Sequence, residues 1–355
     1  MLCHNDSALF HGNSSRLIKL ALDTFSQSYG SVHGYLCSLI CLFGLLTNLV
    51  HIMVLTRQQM RNSAVSTILT GVALCDTGIM LSYLVYLVHF ILDGHVKHQP
   101  SCASGYKLGW IWFLFTHMML SITLHNTSLW LVVTLAFVRN MALRMLRKSS
   151  LWTDSGRSCK LALSVAVLVC IFSLPNALVH EVKPLTNNCL PNVSQDSYYT
   201  LEVSVTALDN GCQLFKWNLW MTGIVFKIVP CALLLVLIVG LVAKLHEVKQ
   251  KREFLLARNR NRQTDRTTTI LVLILCVFLA TEVPQGAVAI LSAMYTHDFY
   301  QFVYSGTGEF LDLLSLVNSC VSFICYCVMS SKYRQTFWQI FGFPLDFSSD
   351  ATHHN

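Results

Sequence analysis

Residues 265–286 read "DRTTTILVLILCVFLATEVPQG". The stretch opens on a charged pair, Asp265 and Arg266, continues as an apolar run, and then carries Glu282, Pro284 and Gln285. About 20 apolar residues suffice for a helix to cross a bilayer. A carboxylate inside such a run costs about 3 kcal/mol even on the most lenient insertion scale, and it marks a functional site by default. How many such runs the chain has, and what Glu282 meets, decide the reading.

Of the 355 residues 54% are hydrophobic and only 12% charged. The apolar residues fall into seven blocks, at 33–56, 64–92, 108–138, 159–180, 214–245, 267–294 and 305–329, each long enough to span. The pattern predicts an all-α membrane protein. Its parts are an N-terminal segment (1–32), a seven-helix bundle (33–329), and a short amphipathic helix with a tail (330–355). In that last helix Tyr333, Phe337 and Phe341 recur at i+4 spacing and are expected on the membrane surface. The first 20 residues show no basic segment followed by an apolar one, so no cleaved signal peptide is expected.

Basic residues set the orientation. Of the 25 Lys and Arg, 18 fall on the side of loops one, two, three and the C-terminal tail, eight of them between Lys244 and Arg266. That side is expected to be cytoplasmic. The N-terminus is then extracellular, with the sequons Asn5, Asn13 and Asn192 on the same outer side as candidate glycosylation sites. The expected location is the plasma membrane, crossed several times. The net charge of +7 follows from the same bias and indicates no nucleic-acid partner. The 14 cysteines show no zinc-type pairing, so no metal centre is expected. Cys102, Cys189 and Cys212 lie outside, where disulfides form; two of them are expected to pair, with Cys102–Cys189 favoured.

Polar residues within the spans form seams. His117, Ser121, His125 and Ser128 share one face of the third block; Asp312, Ser315, Ser319, Ser322 and Tyr326 share one face of the seventh. Asn48 and Asp76 lie mid-span in blocks one and two. Glu282 lies 16 residues beyond Arg266, about 24 Å along the helix, and Lys227 lies 17 residues before Lys244, about 25 Å from the same side. The two charges are therefore expected at equal depth. Pro284 and Pro230 each remove a helical hydrogen bond beside them, which predicts two bent helices around a polar pocket.

Five motifs match rhodopsin-like G-protein-coupled receptors: Asn48 in "GLLTNLVHIMVL", Asp76 in "TGVALCD", Arg139 in "FVRN", and Pro230 and Pro284 in "FKIVPC" and "FLATEVP". The stretches "HNTSLWLVVTLAFVR", "NLWMTGIVFKIVPCALL" and "LLSLVNSCVSFICYCVMSSKYRQTF", with the opening one, closely resemble invertebrate myosuppressin and FMRFamide-type peptide receptors, which group with the nematode serpentine class W receptors. The sequence departs from that pattern at Val138, Asn140 and Ser322, where the family has Trp, Tyr and Asn.

The resemblance implies an extracellular amidated neuropeptide ending in Arg-Phe-amide or similar, and an intracellular heterotrimeric G protein. Glu282, Glu309 and Asp312 would face the ligand's guanidinium; Tyr83, Tyr86 and Trp220 would wall its Phe; Gln285, His117 and His125 would bond its amide. Lys227 would pair with Glu282 at rest. Asp76 and Ser128, joined by Asn318 and Ser322, would hold sodium, with no other cofactor expected. Arg139, Asp265, Arg266 and Tyr326 would serve coupling, with Asp265 restraining Arg139 at rest. A chemosensory receptor for small molecules is the alternative within the class. A secondary transporter is more distant, since the halves show no repeat. An intramembrane protease lacks its paired catalytic groups: there is no His-Glu-x-x-His, and Asp76 has no aspartate partner at its depth.

Overall fold

A computed structural model describes residues 12–92, 106–144, 152–184, 198–255, 261–329 and 331–342. The helices are α1 (Gly12–Leu55), α2 (Ala64–Tyr86), α3 (Leu108–Arg144), α4 (Ser155–Val179), α5 (Val205–Trp220), α6 (Val229–Leu255), α7 (Asn261–Met294), α8 (Ser305–Met329) and α9 (Ser331–Ile340). A π-helical segment, Met221–Ile228, joins α5 to α6, so the three form one fifth span. Shorter π-helical stretches, Leu87–Leu92 and Thr296–Tyr304, end α2 and lead into α8. Among the described residues, six helical stretches are long and apolar enough to cross a membrane. The seventh member of the bundle, α8, packs against α1 and α7 and carries Glu309 and Asp312.

Helices one to four assemble around close neighbours: α2 packs on α1, α3 and α4, and α3 packs on the inner half of the fifth span. One stripe of α1 faces inward, with His33, Cys37, Cys41, Asn48 and His51 all buried. Asp154 caps α4 by accepting the Arg157 N–H at 2.8 Å, satisfying a donor the helix start leaves open.

The apolar blocks mark the bilayer, and the helices outrun them. Block one was expected at 33–56, yet α1 begins at Gly12. Its 44 residues make a rod about 66 Å long, against about 30 Å of hydrocarbon. The extension is polar enough to escape a hydropathy reading, but it is braced: the rings of Phe25 and Tyr29 meet Phe310 edge-on at 6.1 and 5.9 Å, and Lys19 Nζ sits 3.7 Å from the Phe302 ring centre. The segment 1–32 is thus largely helix from residue 12 onward. Asn13 lies in the first turn of α1; Asn5 and Asn192 lie outside the described residues.

The connection between α4 and α5 holds a hairpin that no sequence feature announced. β1 (His180–Pro184) pairs antiparallel with β2 (Tyr199–Val203), His180 opposite Val203, and Tyr106 bridges to Tyr199 at the foot of α3. At the head of the fifth span, Asn210, Gly211 and Cys212 take left-handed backbone angles (φ 50°, 70° and 63°) and break α5. Cys212 is disulfide-bonded. The expectation had set this cysteine aside; Cys102 and Cys189 lie outside the described residues.

One expectation for α9 is overturned. Tyr333 does not lie on a membrane surface: it is fully buried among Val54, Leu55 and Leu69, and its hydroxyl meets His51 Nδ1 at 2.9 Å. A buried imidazole needs a partner, and this demand pulls the tyrosine inward. Only Phe341 of the predicted apolar stripe is exposed. Tyr333→Phe is expected to cost about 1–3 kcal/mol by removing the hydroxyl that meets the buried His51 Nδ1. It should lower the melting temperature of the detergent-solubilised protein, whereas Phe341→Ala should leave it nearly unchanged. Equal melting of Tyr333→Phe and the parent protein would exclude an anchoring role for this contact.

Candidate functional site

Glu282 has no solvent exposure, and three other helical segments converge on it. Lys227 Nζ from the π segment donates to its Oε2 at 2.7 Å; His125 Nε2 from α3 lies 3.3 Å from the same oxygen; Asn318 Nδ2 from α8 donates to Oε1 at 2.9 Å. Lys227 also donates to Gln285 Oε1 at 2.8 Å, and Ser315 Oγ donates to that oxygen at 3.2 Å. The equal depth expected for Lys227 and Glu282 is therefore a direct contact. A buried carboxylate persists when a cation and further donors satisfy its lone pairs.

Local sequence explains the approach. Pro230 has no N–H, and the fifth span adopts π winding just before it; Val229 N–H reaches back five residues to Ile224 O. The wide turns bring Lys227 to the bundle face. Gly223 and Gly286 let the fifth span and α7 touch: a Cβ on Gly286 would fall 2.9 Å from Lys227 Cβ, and one on Gly223 would fall 3.2 Å from Gly286 O. Small residues at such crossings permit the backbones to close up. Despite Pro284, α7 is helical throughout.

Above this node lies a cavity of about 330 Å³. Lys227, Gln285 and His125 form part of its wall; Tyr83, Asp312 and Ser315 form another part. Asp312 lines this cavity and accepts a hydrogen bond from the Tyr83 hydroxyl at 3.3 Å. Tyr86 and His117 stand behind Tyr83 as a stack 5.1 Å apart. Five residues expected at the ligand do not line the cavity, Tyr86 and His117 being two of them. Glu282 is occluded by its own partners, Trp220 turns outward at 37% exposure, and Glu309 packs against Gly30 of α1 instead of lining the cavity. The aromatic wall is instead Phe215, Tyr300 and Tyr304, with Phe215 edge-on to Tyr300 at 4.9 Å. Sequence reading also missed Asn176 and Asn218, which line the cavity and are joined by a hydrogen bond from Asn218 Nδ2 to Asn176 Oδ1 at 2.8 Å, and His180, which lines it too. An asparagine directly after Pro175 within an apolar span was the available signal.

Deeper in the bundle Ser128 Oγ donates to Asp76 Oδ1 at 3.0 Å, and the Ser319 hydroxyl faces the same carboxyl. Asp76 Oδ2 and Asn48 Oδ1 are buried without a hydrogen-bond partner among the described residues. Asn318, expected here, points to Glu282; its neighbour Ser319 takes the place, one residue on being about 100° around the helix. At the inner end Arg139 is half-buried, and Val138 belongs to the apolar cluster of Leu131 and Leu135, which an acid would disrupt. The side chains of Asp265, Arg266, Ser322 and Tyr326 lie outside the described residues.

A family model described as serpentine type 7TM GPCR chemoreceptor Srw matches residues 35–344. The chain is 34% identical to the G-protein coupled receptor dmsr-1 of Caenorhabditis elegans, over 88% of this chain and 68% of that protein. It is 26% identical to the sex peptide receptor of Drosophila melanogaster, over 87% and 72%. With the FMRFamide receptor of the same fly it shares 22% identity, over 87% and 54%.

Removing one member of a buried ion pair costs about 3–5 kcal/mol, because the other charge is stranded. Lys227→Met and Glu282→Gln should each lower surface yield and melting temperature, and the double variant should regain part of the loss. Strictly additive losses in this cycle would mean that the contact contributes nothing.

Proposed function

This chain belongs to the serpentine type 7TM GPCR chemoreceptor family Srw, and on that premise we propose that its ligand is an extracellular peptide with an amidated, arginine-containing C-terminus. It is a multi-pass membrane receptor that couples to G proteins. The observation that carries the ligand class is Asp312, an acid open to the cavity, facing a wall of Phe215, Tyr300 and Tyr304. A guanidinium prefers a carboxylate, and a terminal Phe prefers rings. Because Glu282 is already neutralised by Lys227, Asp312 is the better partner for the arginine. Gln285, His180 and the Asn176–Asn218 pair offer groups for a carboxamide. A cavity of about 330 Å³ takes the last one or two residues of a peptide, with the remainder running out past the hairpin. The names of two relatives, for the sex peptide and for FMRFamide, support a peptide ligand, and the second of them an amidated one.

The outside N-terminus follows from the basic inner loops. It is checked by an N-terminal tag on intact cells, which also measures surface expression; a tag reached only after permeabilisation would reverse the orientation.

In cells expressing the receptor, Asp312→Asn should reduce the potency of an Arg-Phe-amide peptide by about ten- to a hundredfold, the worth of a charge-assisted hydrogen bond. An analogue with neutral citrulline in place of arginine should lose little. Equal losses for both would refute the pairing, and responses confined to non-peptide small molecules would favour the chemosensory reading.

The oxygens of Asp76, Ser128, Ser319 and Asn48 suit a hard cation, and two of them are buried without partners. The proposed occupant is sodium, which would neutralise Asp76 in the resting bundle. Sodium should then weaken agonist binding in the parent receptor and have no effect in Asp76→Asn. Sodium-independent binding in both would dismiss the site.

A further inference from the structure

His33 lies on α1, outside every group assigned to the ligand so far, and is 1% exposed. Its ring joins two tyrosines: Nδ1 is 3.2 Å from the Tyr29 hydroxyl and Nε2 is 3.2 Å from the Tyr83 hydroxyl. Tyr83 in turn donates to Asp312 Oδ2 at 3.3 Å. The proton directions follow from one constraint. Tyr83 has a single phenolic proton, and Asp312 takes it. His33 must therefore donate through Nε2–H, and in the neutral ring Nδ1 is the acceptor, facing the Tyr29 hydroxyl and, at 3.5 Å, Cys37 Sγ. The chain of donors runs one way, from the outer part of α1 through His33 and Tyr83 into the cavity carboxylate.

We propose that His33 is a positioning residue for ligand recognition: it orients the Tyr83 hydroxyl so that one oxygen of Asp312 is held and the other is presented to a cationic ligand group. This rests on the reading of Asp312 as the cation partner. His33 does not line the cavity, so it acts only through Tyr83. Its own placement is fixed on two sides. The Tyr29 ring meets it edge-on at 5.4 Å, and Tyr29 is held by Phe25 and Phe310. The far side of Tyr83 rests on Tyr86 and His117, at 5.5 and 5.7 Å. With the rings packed, rotation of the phenol O–H is the freedom left, and the imidazole removes it. Successive hydrogen bonds in a low-dielectric interior also strengthen one another. The extracellular extension of α1 is thereby linked to the ligand site without touching the ligand.

The test compares an Arg-Phe-amide peptide with its citrulline analogue in a signalling assay, normalised to surface tag. His33→Phe keeps a ring and removes both nitrogens. It should cut the potency of the arginine peptide by about tenfold and leave the citrulline peptide nearly unchanged. Tyr83→Phe should do the same, and the double variant should be no worse than either single one. His33→Gln, with a donor and an acceptor on one amide, should recover part of the response. Equal loss for the two peptides, or additive loss in the double variant, overturns the proposal. If His33→Phe fails to reach the surface, His33→Asn carries the same test, being polar but too short to reach both tyrosines. Asp312→Asn in the same assay separates the two levels. If it does not distinguish arginine from citrulline, the cation subsite itself fails and the relay falls with it. If it does and the His33 variants do not, only the relay is overturned.

Discussion

An ionised carboxylate inside a helical bundle is stable only if other helices bring a cation and hydrogen-bond donors to it, and Glu282 obtains these from α3, the fifth span and α8 at once. Three other features follow from that demand. The π segment turns Lys227 inward, the paired glycines let the fifth span and α7 close on each other, and Asn318 departs from the Asp76 group to serve Glu282. The cavity then has a polar floor whose charges are already spent, which leaves its recognition chemistry to the walls.

Much of this was legible in the sequence because membrane insertion makes polar residues conspicuous. The depth arithmetic along two helices from their basic ends brought Lys227 and Glu282 to one level, and the contact is there. Among the described residues, His125 and Ser128 of the α3 seam and Ser315 and Ser319 of the α8 seam likewise meet partners within the bundle, since lipid offers them none. The seven-helix class was readable from block lengths, and the match over residues 35–344 agrees with it.

What escaped has a physical reason in each case. Hydropathy reports the bilayer, so the part of α1 outside it carried no signal. The hairpin of β1 and β2 is held by ten residues, and short strands have little periodicity to detect. Trp220 and Tyr333 exchanged places with the expectation, one outward and one inward, because spacing fixes which residues share a face but not which way that face turns. His33 was invisible for a related reason: its importance depends on Tyr29 and Tyr83, which only the folded bundle brings to its two nitrogens.

The π segment has a further consequence. A π turn holds one residue more than an α turn, so the fifth span contains an excess residue that could be passed along the helix without breaking the chain. Returning Met221–Ile228 to α winding would turn its last residues by up to about 100° and carry Lys227, the seventh of its eight, off Glu282. The ion pair and the helical winding are thus a single mechanical variable. A ligand that pulls on Lys227 from the cavity does work on the pitch of the fifth span.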